Sequence, residues 1–195
     1  VEKGGPKEVL KVCLNMVLTG NPGTGKTTLA RLIARFLHAY GVLPKDNFVE
    51  KNGLELKGKY VGQSCPQVKQ AVAEAMGGCL FIDEAYSLGG DECGNNDSFS
   101  TEVVRTLLTE VENNRTNVVV ILAGYKGPMG QLMRADPGLS RRFVINVHLD
   151  DYTPMELAEI AHTAATDRFG LKFEEGLKQK LATHIEDQNG GEIQQ

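Results

Sequence analysis

The residues best suited to chemistry form one glycine-rich stretch near the start of the chain. The sequence GNPGTGKT (20–27) fits the pattern G-x-x-x-x-G-K-[ST] without a gap, and it lies between an apolar run and an amphipathic pattern. Glycines let the backbone N–H groups converge on phosphate oxygens, and a helix that begins there adds partial positive charge. Lys26 can then reach the β- and γ-phosphates of a nucleotide, and the Thr27 hydroxyl can bind Mg²⁺. The predicted nucleotide-binding residues are Gly20, Asn21, Pro22, Gly23, Thr24, Gly25, Lys26, Thr27 and Thr28.

Two adjacent acids follow another apolar run. In CLFIDEA (79–85), Asp83 and Glu84 lie where a buried strand is predicted to end, and the carboxyl edge of a parallel sheet is where α/β proteins bind ligands. Asp83 is predicted to hold Mg²⁺, and Glu84 to orient or deprotonate an attacking water. Many strands end in acids, so the pair alone is a weak signal of function. Its position after the phosphate loop in the sequence strengthens that signal. The acid next to the metal-binding Asp83 indicates that water is the nucleophile, so Glu84 favours hydrolysis of the bound nucleotide.

A pair of arginines precedes the last predicted strand. The stretch DPGLSRRF (136–143) carries Arg141 and Arg142 in what we predict to be a turn. One interpretation is a solvated basic turn, which most such pairs are. The other is an arginine finger that serves the nucleotide of a neighbouring subunit and neutralises charge on the transferring phosphoryl group. Spacing alone leaves both open.

These residues require a parallel sheet to position them. Five apolar runs alternate with helical patterns, which is typical of an α/β fold with helices on both faces of the sheet. The predicted strands are 12–20, 47–52, 79–83, 117–124 and 143–149, and the predicted helices between them are 27–40, 66–75 and 99–111. The first helix is expected to bury a face made of Leu29, Leu32, Ile33, Phe36 and Leu37.

The pattern changes after residue 149. The sequence Thr153-Pro154-Met155-Glu156 reads as a capping box with proline at the first helical position. A second helix is predicted at about residues 173–185, and no strand follows. We therefore expect a nucleotide-binding α/β core at 1–150 and the start of a helical subdomain at 151–195, which we expect to be truncated.

Composition limits the function classes. The net charge is −4 and no basic block is present, so neither nucleic acid nor a DNA-acting ring is indicated. The longest apolar run, 118–123, is too short to cross a bilayer. The four cysteines, Cys13, Cys65, Cys79 and Cys93, have no close-pair spacing. They favour reduced thiols in the cytoplasm or an equivalent compartment such as an organelle stroma.

Several ordered motifs resemble one family. The stretches LTGNPGTGKTTLAR, YVGQ, GGCLFIDEAYSL, LLTEVENNRTNVVVILAGY and DPGLSRRF, within about residues 15–160, resemble AAA+ ATPases of the CbbX/CfxQ group. That group includes the red-type rubisco activases and the SpoVK-like sporulation proteins. The resemblance implies a P-loop NTPase core with a helical lid. It also implies MgATP hydrolysis and remodelling of a protein client by a ring, usually a hexamer.

The resemblance also implies roles for single residues. The phosphate loop and the Asp83–Glu84 pair match the Walker A and Walker B motifs, and Arg142 matches the arginine finger better than Arg141 does. Tyr60, Val61 and Gly62 match the central pore loop that contacts the client. From the sequence alone, Tyr60 could instead anchor its loop on the core.

Two features depart from the family pattern. The polar residue expected past the fourth strand falls at Ala123-Gly124-Tyr125, so Tyr125 or a neighbour must take its role. No candidate lid arginine follows Arg168. These departures keep open a second hypothesis, a nucleotide-dependent scaffold or switch without significant turnover.

Overall fold

Five parallel strands form the central sheet. In the computed structural model, which describes residues 14–57, 64–89 and 98–191, the strands lie in the order β2-β3-β4-β1-β5. Their bounds are β1 Met16–Gly20, β2 Phe48–Asn52, β3 Cys79–Asp83, β4 Val119–Gly124 and β5 Ile145–Leu149. The predicted five-stranded parallel α/β fold is confirmed.

Helices cover both faces of this sheet. They are α1 Lys26–Ala39, α2 Gly53–Lys57, α3 Ser64–Glu74, α4 Ser98–Asn113, α5 Lys126–Ala135 and α6 Pro137–Arg142, with a 3₁₀ turn at Ala85–Leu88. Alternate strand residues face opposite sides: Leu80 and Ile82 pack with α3 and α4 in one apolar cluster. Phe81 and Ile121 pack with α1 in the other. In the described ranges, no helix has the length and apolar character needed to span a membrane.

The strand register brings the carboxyl ends of neighbouring strands to one level. Asn52 of β2 lies beside Asp83 of β3, and Thr19 of β1 lies beside Gly124 of β4. Since the phosphate loop leaves β1 at the next residue, the loop and the two acids meet at the same edge of the sheet.

The structure corrects two predictions about helices. Leu32 and Phe36, expected on the buried face of α1, are 56% and 58% exposed, and Ala30 and Ala34 are buried instead. The DPGLSRRF stretch is a short helix, α6, where a turn was predicted. Its start could have been found, because the Asp136 side chain accepts from Gly138 N as an N-cap and proline follows at the first helical position.

The second compact unit comprises Asp150–Gln195, after a first unit of Val1–Leu149. It contains α7 Pro154–Phe169 and α8 Leu177–Gly191. The predicted capping box is confirmed, since Thr153 and Glu156 exchange both hydrogen bonds. Gly170, in the left-handed region at φ 66°, ends α7.

Candidate nucleotide site

The phosphate loop leaves no room for a side chain at its first position. A Cβ on Gly20 would lie 2.7 Å from the Leu149 carbonyl oxygen and 2.8 Å from Thr24 Oγ1. Gly23 and Gly25 adopt left-handed φ values of 78° and 86°, which side chains other than glycine rarely tolerate. The sequence therefore needs glycine at these positions to form the loop.

Lys26 is held against its own loop. Its Nζ donates to the carbonyl oxygens of Gly20 at 3.0 Å and Asn21 at 2.7 Å. The same ammonium group lies 5.8 Å from the centre of the Tyr125 ring. These contacts place a positive charge inside the curve of the loop, where phosphate oxygens would lie.

The start of α1 is open to an anion. Gly25 is the N-cap residue and makes no side-chain cap, and no acid lies in the first turn. The first N–H groups of a helix have no partner within the helix. In α1, no side-chain cap and no carboxylate of its own first turn competes for a phosphate there.

The two acids lie at the end of β3: Asp83 is the last residue of the strand and Glu84 begins a strained turn. Glu84 has φ 49°, the one non-glycine residue with positive φ among those that the structure describes. Its N–H donates to Asp83 Oδ1 at 2.9 Å, and its carbonyl oxygen accepts from Ser87 Oγ at 2.7 Å. Strained backbone that neighbouring contacts hold in place is common at functional sites.

Asn52 contacts Glu84 directly, and sequence reasoning missed it. Asn52 Nδ2 donates to Glu84 Oε2 at 2.9 Å. The signal available was its position as the last residue of a strand, but the sequence did not show that β2 pairs with β3. Gly53 permits the close approach, since a Cβ there would lie 2.7 Å from the Glu84 carbonyl oxygen.

Two tyrosines form one wall of the site. The rings of Tyr86 and Tyr125 stack with centroids 5.7 Å apart at 26°. Burial, and then the charges of Glu84, Tyr125 and Asp83 and a hydrogen bond to Glu84, raise the pKa of the Tyr86 phenol. Sequence reasoning had considered Tyr125 but had missed Tyr86.

These features surround one cleft of about 450 Å³. Its walls come from the phosphate loop, the start of α1 and the ends of β3 and β4: Pro22, Gly23, Gly25, Lys26, Thr27, Thr28, Asp83, Glu84, Tyr86, Gly124 and Tyr125. Six of the nine predicted nucleotide-binding residues, Lys26 and Thr27 among them, therefore line the same cleft as the two acids.

The donor set fits Mg²⁺ with a phosphate ligand. The Thr27 hydroxyl and the Asp83 carboxylate line the same cleft, and hard oxygen atoms of this kind are what Mg²⁺ prefers. Across residues 14–57, 64–89 and 98–191, no group of three or more His, Cys, Asp or Glu side chains could hold a metal by itself. Mg²⁺ usually takes one or two carboxylates and completes its shell with phosphate and water.

The predicted arginines lie elsewhere. Neither Arg141 nor Arg142 lines the cleft of its own chain. At the end of α6, Arg142 Nε donates to Glu112 Oε2 at 3.1 Å, and the Arg142 side chain is 31% exposed. Arg141 is exposed. The predicted pore-loop residues 60–62 lie outside the described residues.

Comparison with known proteins agrees with this geometry. The model of the "ATPase family associated with various cellular activities (AAA)" matches residues 16–150. Protein CfxQ of Xanthobacter flavus is 43% identical over 154 residues, covering 79% of this chain and 48% of CfxQ. Chromosomal protein CbxX of Cupriavidus necator is 44% identical over 148 residues, covering 76% of this chain and 46% of CbxX. These relatives confirm the resemblance to the CbbX/CfxQ group.

A third relative is larger. The ESX-1 secretion system protein EccA1 of Mycobacterium tuberculosis (strain H37Rv) is 42% identical over 161 residues, covering 82% of this chain and 28% of EccA1. The chain thus spans between about a quarter and a half of the length of these relatives. Members of the matched family bind nucleotide, usually with Mg²⁺, and typically form ring oligomers. With its P-loop cleft and a family match over residues 16–150, the chain belongs to the AAA family of ATPases.

Proposed function

We propose that this chain binds and hydrolyses MgATP. The observation that carries the proposal is the single cleft in which Lys26, Thr27, Asp83 and Glu84 all take part. A loop shaped for phosphate, an uncapped helix start, a hydroxyl–carboxylate pair for Mg²⁺ and a second acid beside that pair are the parts that phosphoryl transfer to water requires.

The proposed roles follow from the contacts. Lys26 exchanges its two loop carbonyl partners for β- and γ-phosphate oxygens, so its charge is already in place. The Thr27 hydroxyl and the Asp83 carboxylate would hold Mg²⁺, which would supply positive charge to neutralise the charge that develops on the transferring phosphoryl group. Glu84 accepts a hydrogen bond from the attacking water and takes its proton as the oxygen of that water bonds to the γ-phosphorus. The bond from the γ-phosphorus to the β-phosphate oxygen breaks, and ADP and phosphate leave.

We further propose a hexameric ring in which α6 faces a neighbouring subunit. Arg142, with Arg141 as the second choice, would stabilise charge on the nucleotide of that neighbour. The absence of both side chains from the cleft of their own chain supports this assignment. In this proposal, the ion pair between Arg142 and Glu112 must open when the neighbour binds ATP.

The work done by the ring is proposed to be remodelling of a protein client. Tyr60, Val61 and Gly62 would grip an extended polypeptide at the pore, because an aromatic ring can stack on a chain without reading its sequence. The client is a protein rather than nucleic acid, given the net charge of −4.

One observation supports a second candidate, a nucleotide-dependent scaffold or switch with little turnover. Glu84 is engaged by Asn52, and a carboxylate held in this way is less free to turn toward a water. In that case ATP binding would change conformation or assembly while hydrolysis stays slow.

Phosphate release from MgATP tests hydrolysis. Lys26→Ala is expected to abolish nucleotide binding, and Glu84→Gln to bind MgATP but not turn it over. The matched controls are Lys45→Ala and Glu102→Gln, made at residues that do not line the cleft; both should retain activity. Turnover by Glu84→Gln at the wild-type rate would overturn the assigned role of Glu84, and binding of MgATP without turnover by the wild type would favour the switch.

Binding of a labelled unfolded polypeptide such as casein tests the pore assignment. Tyr60→Ala should lose this binding and Tyr60→Phe should retain it, with phosphate release measured in parallel. A fall in melting temperature of Tyr60→Ala with polypeptide binding intact would instead make Tyr60 an anchor of its loop.

A further inference from the structure

Tyr125 lies where β4 ends and α5 begins. It is the N-cap residue of α5, and its side chain makes no cap hydrogen bond. Only its backbone serves the helix, since the Tyr125 carbonyl oxygen accepts from Met129 N at 2.9 Å. The side chain is 39% exposed and lines the nucleotide cleft. Neither helix capping nor burial therefore accounts for a tyrosine at this position.

The Tyr125 ring contacts the cation of the phosphate loop. Lys26 Nζ lies over this ring, 5.8 Å from its centre, and the negative face of an aromatic ring attracts a cation within about 6 Å. A lysine ammonium group has three donors, and that of Lys26 donates to the carbonyl oxygens of Gly20 and Asn21. The ring therefore adds a third contact to the ammonium group.

The position of the Tyr125 ring is itself fixed. The ring stacks on that of Tyr86, with centroids 5.7 Å apart at 26°. Tyr86 in turn lies against the bare backbone of Gly124, where an added Cβ would meet Tyr86 Cδ1 at 2.8 Å and Met129 Cγ at 2.9 Å. The stack depends on the ring of residue 125 and not on its hydroxyl, so a phenylalanine there could be held in the same place.

We propose that Tyr125 is a positioning residue that holds the Lys26 ammonium group inside the phosphate loop through a cation–π contact. This proposal rests on the proposed binding of MgATP. It assigns the residue past β4 to the cation that binds phosphate, and not to the attacking water. The acting group is then the aromatic ring, which explains how Ala123-Gly124-Tyr125 serves the site without the usual polar residue.

The contact matters because Lys26 has to change partners when a nucleotide binds. Its hydrogen bonds to Gly20 and Asn21 are lost when phosphate oxygens take the place of the two carbonyl oxygens. A ring face attracts a cation without a single required donor direction, so the Tyr125 contact can persist through this exchange. Without the ring, the long lysine side chain can move into solvent, and ordering it again costs binding free energy.

The proton spectrum of the ligand-free protein tests the contact itself. Ring currents shift protons above an aromatic face upfield, so the Lys26 ε-methylene signal should lie upfield of the other lysine signals in protein made with isotope-labelled lysine. Its absence from Lys26→Arg protein assigns it. The shift should persist in Tyr125→Phe and disappear in Tyr125→Leu, which keeps an apolar side chain but has no ring. A wild-type Lys26 signal among those of exposed lysines would overturn the proposal, even if Tyr125→Leu fails to fold.

Calorimetric titration with MgATP tests the consequence for binding. Tyr125→Leu should raise the Kd about threefold to thirtyfold, the range that a cation–π contact supports. Tyr125→Phe keeps the ring face and should lose clearly less affinity. Tyr40→Leu is the matched control and should bind MgATP as the wild type does. Tyr40 also stacks on an aromatic ring, Phe36, but it is 66% exposed and does not line the cleft. Melting temperatures of the two leucine variants show whether each is folded.

The outcomes separate this proposal from the proposed function. If the wild type binds MgATP and folded Tyr125→Leu binds it equally well, the role of Tyr125 is wrong and the proposed function stands. Equal losses of affinity in Tyr125→Phe and Tyr125→Leu would make the hydroxyl the acting group and would also overturn the cation–π role. If the wild type does not bind MgATP, the proposed function fails, and the role of Tyr125 falls with it even where the Lys26 signal lies upfield.

Discussion

The side-chain amide of Asn52 makes hydrogen bonds through both its nitrogen and its oxygen, and the two partners lie in different parts of the molecule. Its Nδ2 donates to Glu84 Oε2 at 2.9 Å, and its Oδ1 accepts from Leu54 N, also at 2.9 Å, in the first turn of α2. The side chain therefore joins the proposed catalytic acid to a short helix that ends at Lys57, three residues before Tyr60. This is a physical connection between the cleft and the segment to which we assign client contact.

Asn52→Asp separates these two bonds. The carboxylate retains an acceptor for Leu54 N but presents negative charge to Glu84 where a donor had been. Repulsion should displace the Glu84 carboxylate and lower kcat about tenfold or more, while the melting temperature changes little. Both are measured on purified protein, by phosphate release and by thermal unfolding.

The control for this change is Asn47→Asp, at the residue directly before β2. Asn47 Nδ2 donates to the Glu74 carbonyl oxygen at 2.7 Å, so the substitution also removes one donor but lies away from the cleft. It should lower stability and leave kcat intact. An Asn52→Asp variant with wild-type kcat would show that Asn52 does not affect Glu84 during turnover.

Gly20→Ala should damage the phosphate loop. The added Cβ would meet the Leu149 carbonyl oxygen at 2.7 Å, and backbone cannot yield as a flexible side chain can. Overpacking of this kind costs about 1–3 kcal/mol. Urea unfolding should show that loss of stability, and calorimetric titration with MgATP should show weaker binding.

Gly127→Ala is the matched substitution. A Cβ on Gly127 would have no heavy atom within 4 Å, and the φ angle of Gly127 is not in the left-handed region. The change in α5 should therefore leave stability unchanged or raise it by up to about 1 kcal/mol. Equal losses of stability in Gly20→Ala and Gly127→Ala would show that the close approach of Gly20 to Leu149 does not determine the cost of an added Cβ.

Cys79 should be inert to thiol reagents in the folded protein. It is 0% exposed, and burial raises the pKa of its thiol to about 12. The reactive thiolate is therefore scarce at about pH 8. Peptide mapping after N-ethylmaleimide treatment should find Cys79 unmodified in native protein and modified in concentrated guanidinium chloride. Native modification at the denatured rate would contradict this placement.

Local features of the fold could be predicted from the sequence better than contacts between residues that are far apart along the chain. The phosphate loop, the Asp83–Glu84 strand end and the α7 capping box are short contiguous patterns with a direct physical meaning, so their positions could be predicted. The contact of Asn52 with Glu84 and the stack of Tyr86 on Tyr125 depend on strand order and on rings that meet from different strand ends, which periodicity does not encode. Helix α5 was missed for another reason. Its sequence KGPMGQLMRA has weak helix propensity, and burial of Met129 and Leu132 drives its formation.

The α7 capping box gives a pH-dependent prediction. Hydrogen bonds from the Thr153 backbone N–H and then from its hydroxyl lower the pKa of the Glu156 carboxyl. A carboxyl with a lowered folded pKa stabilises the fold above its unfolded pKa of about 4.3, and this contribution is lost as the pH falls through the folded value. Thr153→Ala removes the second of these bonds and the helix cap, so it should lower stability more at neutral pH than in acid.

Thermal unfolding followed by circular dichroism at about pH 7 and about pH 3 measures this difference. Thr163→Ala, at an exposed position within the same helix, is the control. It removes a threonine without removing a cap, so it should raise stability by a few tenths of a kcal/mol at both pH values. A cost of Thr153→Ala that stays constant with pH would show that the Thr153 hydroxyl stabilises α7 as a cap of the helix N–H groups and not through its bond to the charged Glu156 carboxylate.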